Sequence, residues 1–296
     1  MTLDTLPAAL GSRLAQLRLL VAGLGGAVVA YSGGVDSTLL AFVTREQLGD
    51  RALACTAASP SMDEGELAHA VELARRLGIR HRVVRTGEVE LDGYARNTPD
   101  RCYVCKRVVL AQLAAVALDE GLPHLVHGAH LDDGSDFRPG RRAAAELGAR
   151  APLAEAGLTK ADVRALARAL GLPNADKPAA PCLSSRVPYG ERVTVEKLRQ
   201  IGAAERALRG LGFTEVRVRH HGSVARIEVP SDQLEAMVEP ATRLAVLQAV
   251  SDLGFAYVAL DLGGFRSGSL NEVLAGRAVS PEGSSASPRD AAHPSP

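Results

Sequence analysis

Tryptophan is absent from the 296-residue chain, and the remaining large aromatics are five Tyr and five Phe. Platforms on which nucleobases stack are therefore few. Neither sign of charge is in excess, since 34 basic residues stand against 34 acidic ones. That balance removes the bulk electrostatic case for a nucleic-acid partner, though it says nothing of a local patch. Long apolar runs are missing too. The run Leu19 to Val29 is short and broken by glycine, well below the ~20 apolar residues of a membrane span. The N-terminus carries no basic stretch of the kind that opens a secretory leader. These absences describe a soluble, cytoplasmic protein with no membrane partner. Cysteine is scarce, at four residues. A chain of this length buries a core without staples, so four cysteines suggest metal or redox chemistry in a reducing compartment rather than a disulfide framework.

What is present is organised around Ala30-Tyr31-Ser32-Gly33-Gly34-Val35-Asp36-Ser37. An apolar run, Gly26 to Ala30, leads into it and an amphipathic run, Thr38 to Leu48, leaves it. That order predicts a strand, a glycine turn and a helix N-terminus. Such a turn offers successive backbone N–H groups at the positive end of a helix dipole, which is an anion site. Gly33 and Gly34 let the backbone approach a phosphate because no Cβ intervenes. Ser32 and Ser37 add hydroxyl donors. Asp36 is out of place against a bare phosphate, and makes sense if it holds Mg²⁺ or caps the helix. The spacing differs from the G-x-x-x-x-G-K-[ST] loop of other nucleotide sites. It resembles the SGGxDS loop of the PP-loop ATP pyrophosphatases. That resemblance implies an ATP site formed by Ala30, Ser32, Gly33, Gly34, Val35, Asp36 and Ser37, and cleavage of ATP to AMP and pyrophosphate.

The length suggests about two domains. A leading helix is expected over Leu10 to Leu24, and further strands over Ala52 to Ala57, His81 to Arg85 and His124 to Gly128. Between them, Ser61-Met62-Asp63-Glu64 reads as a capping box. The helix it opens has apolar positions Leu67, Ala70, Val71, Ala74 and Leu77. Another helix runs from Cys105 to Leu118. Cys55, inside the second strand, reads as a small core residue. Alternating strands and helices predict an α/β fold with a doubly wound parallel sheet. Ligands in such sheets lie beyond the strand C-termini. Arg150 to Glu155 reads as extended, and Thr159 with Asp162 opens a helix to Leu170. Leu172 to Gly190 is a proline-stiffened loop of a length that is often functional. Beyond it come a helix from Val195 to Leu211, strands over Glu215–Arg219 and Ala225–Val229, a helix from Asp232, and a strand over Tyr257–Leu260. The change of order marks a smaller C-terminal α+β domain. The expected limits are residues 1–189 for the first domain and 190–277 for the second, a substrate or oligomerisation domain. Residues 278–296, rich in Ser, Pro and Ala, read as a disordered tail.

Three cysteines stand apart from the loop. Cys102 and Cys105 are spaced C-x-x-C in Arg101-Cys-Tyr-Val-Cys-Lys106, and Cys182 lies in Asp176-Lys-Pro-Ala-Ala-Pro-Cys-Leu-Ser-Ser-Arg186. Taken alone, C-x-x-C leaves zinc, a disulfide couple and an iron–sulfur cluster open. A helix N-terminus with Arg101, Lys106 and Arg107 beside it would favour thiolates. On the strand 215–219, Arg217 and Arg219 alternate onto one face, where they suit charge-assisted bonds to a phosphate. Ser185 and Arg186 are further phosphate candidates. His127 and His130, with Asp132 and Asp133, read as lining of the nucleotide pocket or as caps rather than as a metal site.

From about Gln16 to Glu272 the chain resembles the LarE family of ATP-dependent sulfur transferases, which act in nickel-pincer nucleotide biosynthesis. Tyr31–Ser37, Arg101–Lys106, His127–Asp133 with Phe137–Gly140, Lys177–Gly190, Val216–Gly222 with Ala225–Val229, and Asp261–Ser269 carry the resemblance. It implies a PP-loop, adenine nucleotide alpha hydrolase-like fold, ATP and Mg²⁺ as cofactors, and a homo-oligomer. The implied substrate is a pyridinium mononucleotide with two carboxylates. Each carboxylate is adenylated, and the mixed anhydride yields to sulfur where the free carboxylate does not. Asp36 and Cys182 are then the catalytic residues. In one branch the cysteine matching Cys182 gives up its own sulfur. In another, three cysteines hold a [4Fe-4S] cluster that carries the sulfide. Having Cys102, Cys105 and Cys182, this chain favours the cluster branch by ligand count, with all three as ligands. It departs from the family pattern at Pro173–Asp176, where an aromatic is common, and in lacking Trp, so a contact to the pyridinium falls to Tyr or Phe, for instance Tyr103. The competing readings are a tRNA thiolase, and a non-catalytic AMP-binding sensor that would have no need of Cys182 or the paired arginines. An amidotransferase-type synthetase would need a glutaminase domain, and none is recognisable.

Overall fold

The computed structural model of the protein describes residues 6–134 and 139–266. Phe137, the end of the Asp261–Ser269 stretch and the tail read at 278–296 lie outside the described residues. Contacts divide the chain into two compact units, one ending at Ala203 and the other beginning at Ala204.

The first unit is built on four parallel strands, β1 (Ala27–Ala30), β2 (Ala52–Ala58), β3 (His81–Arg85) and β4 (His124–His127), in the order β3-β2-β1-β4. Its helices are α1 (Ala8–Ala22), α2 (Val35–Leu48), α3 (Glu64–Arg76), α4 (Asp92–Ala95), α5 (Arg101–Asp119), α6 (Pro139–Glu146), α7 (Pro152–Glu155) and α8 (Lys160–Ala169). Both sheet faces are covered, and the two-residue period of a strand divides the core accordingly. Ala27, Val29, Ala54 and Val126 pack with Leu14, Leu17, Leu39 and Leu166 on one face. Val28, Leu53, Cys55 and Leu125 pack with Leu110 and Leu113 on the other. Cys55 is thus a fully buried core residue, as expected. The order reverses beside β1, because β2 and β3 are added on one side and β4 on the other. Ligands of such sheets bind at this switch point, outside the strand C-termini. All four strands are parallel, so residues 31–34, 59–63, 86–100 and 128–134 follow them at one edge.

The helix α9 (Val195–Gly210) begins in the first unit, where Leu198 and Ile201 pack with Val89, Tyr94, Leu183 and Val187. Its last turns, with Ala204 and Leu208, belong to the core of the second unit. That unit is α+β. Strands β5 (Arg217–His221), β6 (Val224–Glu228) and β7 (Tyr257–Leu260) form a sheet in that order, antiparallel then parallel. Helices α10 (Leu234–Val238) and α11 (Pro240–Ser251) complete it.

Several local expectations are corrected. Ser61 does not cap α3, because its hydroxyl meets Ser59 at 2.7 Å and Glu88 at 3.3 Å. The cap is Asp63, which accepts from the N–H groups of Gly65 and Glu66. Residues 150–155 are not all extended. Arg150 bridges Val126 beside the sheet, and Pro152, suited to a first helical turn, starts α7. The helix expected from Cys105 begins one turn earlier, at Arg101, so both C-x-x-C thiols lie in its first turns. The helix expected from Asp232 is broken at Pro240, which lacks an N–H to continue it. Glu239 recaps the chain by accepting from Ala241 and Thr242. Strand β5 starts at Arg217 because its antiparallel partner β6 ends opposite, at Glu228.

On α3 the buried stripe is Ala70, Leu73 and Ala74, and Val71 is 40% exposed. Leu73→Ala is expected to cost about 2–5 kcal/mol, and Val71→Ala less than about 0.5 kcal/mol. Equilibrium denaturation of the two variants measures the difference.

Candidate functional site

The loop after β1 is clamped from three sides. Gly33 has φ +71°, and a Cβ there would come within 2.9 Å of the Cα and Cβ of Ala70 on α3. Behind the first turn of α2 stands Gly128, which follows β4. A Cβ on it would lie 2.9 Å from the backbone N of Ser37. From the loop after α8, the buried Asn174 donates Nδ2–H to the Gly33 carbonyl at 3.0 Å and to Thr38 Oγ1 at 2.9 Å. The C=O and N–H of a trans peptide point opposite ways. Holding the Gly33 carbonyl on Asn174 therefore turns the Gly34 N–H away from it, toward Ser32 Oγ at 3.4 Å. Ser37 Oγ meets the Ser32 backbone N–H and hydroxyl at 3.2 Å and donates to the Gly34 carbonyl at 3.1 Å. Gly34 is the N-cap of α2 and offers no side chain to the orphan N–H groups. The result is a fixed nest of donors at a helix N-terminus, suited to phosphate.

Asp36 sits in the first turn of α2, where Lys160 donates to both its oxygens at 2.6 Å. A single hard carboxylate next to a phosphate nest matches the donor chemistry of Mg²⁺, which is bound through one or two carboxylates together with substrate phosphates. Beside Ala30, its register partner in β4, His127 is buried. Burial and then the charge of Lys106 push His127 down to about 4, so the ring is neutral at physiological pH. His130 lies 3.7 Å from Asp132 and 3.6 Å from Asp133.

The thiols lie at the same edge of the sheet. Cys102 and Cys105 open α5, which follows β3, and the segment behind Cys182 is tied to the β2 loop by Leu183 N–H donating to Ser61 O at 2.8 Å. Cys182 precedes a tight turn, Leu183–Arg186, and is exposed, as is Cys102, whereas Cys105 is half-buried. Burial pushes the Cys105 thiol up to about 12, and the charges of Glu88, Cys182 and Cys102 add to this while Lys106 opposes it. The expected thiolate is therefore corrected for Cys105. Of the three basic neighbours only Lys106 acts on it, and Arg101 is turned away, buried against Asn97 and the Ser184 carbonyl. Cys105 feels the charges of both Cys102 and Cys182; three thiols suit a three-thiolate cluster in donor type, and metal binding itself deprotonates such ligands. Among the described residues no three His, Cys, Asp or Glu side chains are drawn together to hold a metal ion.

The turn behind Cys182 is rigidly held. Tyr94 and Ser184 share a hydroxyl contact of 2.5 Å, and Asn97 Nδ2–H donates to the carbonyls of Val187 and Pro188 at 3.1 and 2.7 Å. Ser185 Oγ donates to the Cys182 carbonyl at 2.8 Å, and Arg186 Nη1 to the Pro181 and Cys182 carbonyls at 2.8 and 3.1 Å. Arg186 thus supports the backbone that presents Cys182. Tyr103, considered for a stacking contact, has its ring under Arg142 at 4.0 Å and its hydroxyl on Glu146 at 2.7 Å. In the second unit, Arg217 and Arg219 are both buried, not solvated. Arg217 donates to the Val216 carbonyl at 2.9 Å and lies over Phe265 at 5.1 Å. Arg219 makes a two-bond ion pair with the buried Glu228, at 3.0 and 2.7 Å.

Lys160, Asn174, Gly128 and Glu88 are the site residues that sequence reasoning missed. Glu88 is fully buried in the turn after β3, and its Oε2 has no hydrogen-bond partner among the described residues. Only Lys160 left a signal, since a cation in the first turn of a helix opposes the dipole. Asn174→Asp keeps the shape and puts an acceptor against the Gly33 carbonyl. It is expected to weaken binding of a non-cleavable ATP analogue by about tenfold or more, the scale of a lost buried hydrogen bond. Calorimetric titration checks this, and unchanged affinity would contradict the clamp.

Comparison with known proteins agrees with this geometry. The family profile described as asparagine synthase matches residues 27–116, which run from β1 through the C-x-x-C helix. The chain is 47% identical over 265 residues to an uncharacterized protein of Synechocystis, covering 90% of this chain and 99% of the relative. It is 40% identical over 268 residues to the pyridinium-3,5-bisthiocarboxylic acid mononucleotide synthase of Lactiplantibacillus plantarum, covering 90% and 96%. A tRNA-specific 2-thiouridylase of Xanthobacter autotrophicus is 34% identical over 220 residues, covering 60% of this chain and 55% of the relative. With near-complete coverage at 40% identity and a phosphate nest next to a thiol-bearing edge, the chain belongs to the LarE family of ATP-dependent sulfur transferases.

Proposed function

We propose that the protein converts the carboxylates of a pyridinium dicarboxylate mononucleotide to thiocarboxylates for the nickel-pincer nucleotide. The observation that carries this reading is the fixed nest at Ser32–Ser37 on the same sheet edge as Cys102, Cys105 and Cys182. The nest binds ATP through the backbone of Ala30 and Gly33–Val35 and the hydroxyls of Ser32 and Ser37. Asp36 holds Mg²⁺. A substrate carboxylate oxygen attacks the α-phosphorus, the bond to the β-phosphate oxygen breaks, and pyrophosphate leaves. The acyl-adenylate then loses AMP to a sulfur nucleophile, because a phosphoric anhydride leaves where an oxide does not. Arg217 and Arg219 are assigned to the substrate phosphate, and Ser185 and Arg186 are further phosphate candidates close to Cys182.

Cys102, Cys105 and Cys182 would hold a [4Fe-4S] cluster that supplies the sulfur atom. Three protein thiolates leave one cluster position without a protein ligand. The alternative source is Cys182 itself, whose exposure makes its sulfur accessible. The working form is a cytoplasmic homo-oligomer, with residues 1–189 as the ATP domain and 190–277 as the substrate or oligomerisation domain.

Resemblance to the 2-thiouridylase over 60% of the chain favours tRNA thiolation as a second reading. The zero net charge counts against it, since nucleic-acid affinity rests on phosphate neutralisation. Pyrophosphate release from ATP discriminates these readings and the AMP sensor. Release that depends on the pyridinium dicarboxylate mononucleotide is expected. Release that depends on tRNA, or none with either, would overturn the assignment.

A further inference from the structure

We propose that Asn97 is a positioning residue for sulfur transfer, which fixes how far Cys182 stands from the C-x-x-C pair. The proposal rests on reading this edge of the sheet as the sulfur-transfer site.

Asn97 lies between α4 and α5. Its φ is +54°, and among the described residues it is the one non-glycine residue with a left-handed φ. Glycine is the default there, because a Cβ crowds the backbone. A residue held in that region against local preference is a pointer to function, and here the side chain shows why glycine would not serve. Asn97 is fully buried. Its backbone N–H donates to the Tyr94 carbonyl at 3.0 Å, and its carbonyl accepts from the Gly190 N–H at 3.2 Å. The two Nδ2–H bonds go to the carbonyls of Val187 and Pro188, and Oδ1 accepts from Arg101 Nη1. A buried amide satisfied at both ends holds one geometry.

These bonds join two segments 90 residues apart. One is the start of α5, where Arg101 directly precedes Cys102. The other is the turn that follows Cys182. Arg101 bridges them a second time, by donating to the Ser184 carbonyl at 2.9 Å. The Val193 N–H closes the far side on the Ala95 carbonyl at 2.8 Å. Asn97 and Arg101 therefore hold the backbone next to Cys102 and two residues beyond Cys182. Both thiols remain exposed, so the hub sets where they stand without occupying them. That spacing matters because the acyl-adenylate has a competing fate. If sulfur is out of place, water adds to the acyl carbon, AMP leaves and the carboxylate is regenerated. ATP is then spent with no thiocarboxylate formed. A small misplacement of reacting groups costs about a hundredfold in rate.

The test uses the full-length protein. Asn97→Gly keeps the left-handed backbone and removes the side chain. Asn97→Asp keeps the shape and the acceptor for Arg101 but loses both donors, and it reads the same quantities if the glycine variant does not fold. Leu73→Ala serves as the destabilised control that touches none of these bonds. The first readout is thiocarboxylate formed per pyrophosphate released. Both Asn97 variants are expected to lower this ratio by at least about tenfold, on the scale of misplaced reactants, whereas Leu73→Ala keeps it. The second readout bridges the two exposed thiols, Cys102 and Cys182, in a Cys105→Ser background. Bis-methanethiosulfonates of graded spacer length are used, and peptide mass gives the yield. One spacer is expected to dominate when Asn97 is present. Asn97→Gly is expected to form at least about fivefold less of that bridge, the scale of one buried hydrogen bond. An unchanged ratio or an unchanged spacer profile in the Asn97 variants would overturn the proposal, as would an equal fall of the ratio in Leu73→Ala. A wild-type protein that releases pyrophosphate but forms no thiocarboxylate would instead overturn the sulfur-transfer reading, and the bridging yield would still decide whether Asn97 sets the spacing.

Discussion

The lack of space around Gly33 is the constraint on which the site depends. A left-handed φ of +71° and a 2.9 Å approach to Ala70 leave room for no side chain there. The strand can therefore turn at once into α2, with its first N–H groups pointing out of the sheet edge. Gly128 from β4 and Asn174 from beyond α8 fix the same turn from other directions. Three separate stretches of chain converge on residues 33–38, so the nest is formed before any phosphate arrives. Preorganised donors of this kind do not have to reorient when charge develops, which is where electrostatic stabilisation is greatest.

The thiol-bearing part of the edge follows a different logic. Cys105 is half-buried in α5, and burial outweighs the charge of Lys106 there. Arg101 and Arg186 direct N–H groups to backbone carbonyls, so their charge goes into holding the segment 181–188 rather than into activating sulfur. Together with Asn97, Tyr94 and Ser184 they make a rigid support for an exposed Cys182. A rigid loop carrying an accessible thiol suits both proposed sources of sulfur, a ligand and a consumed reagent. The half-buried Cys105 fits the first better, because a shielded thiol is stabilised as a thiolate mainly by a metal.

Much of the architecture was readable beforehand. The bounds of β3 and β7 follow from short apolar-rich runs between turn residues, and Cys55 from its position within a buried strand. The loop was legible because its glycines, serines and aspartate are contiguous. What was not legible lies far apart in sequence. Lys160 and Asn174 meet the loop across 124 and 141 residues, and no local pattern announces such pairings. Charge was misread for a related reason. Arg101 and Arg107 adjoin the C-x-x-C pair in sequence, yet on a helix neighbouring residues face different ways. The alternation of Arg217 and Arg219 was visible, whereas the Glu228 that engages Arg219 comes from the next strand and depends on the register.

The central claim is that Cys102, Cys105 and Cys182 act together as ligands of a sulfur carrier that meets a carboxylate activated at the Gly33 turn. The mass of the Cys182 peptide, taken from anaerobically purified protein after turnover with ATP and the pyridinium substrate, tests it most directly. The account predicts an unaltered cysteine in protein that contains iron and acid-labile sulfide. Loss of one H₂S at Cys182, in protein that holds no iron, would contradict it.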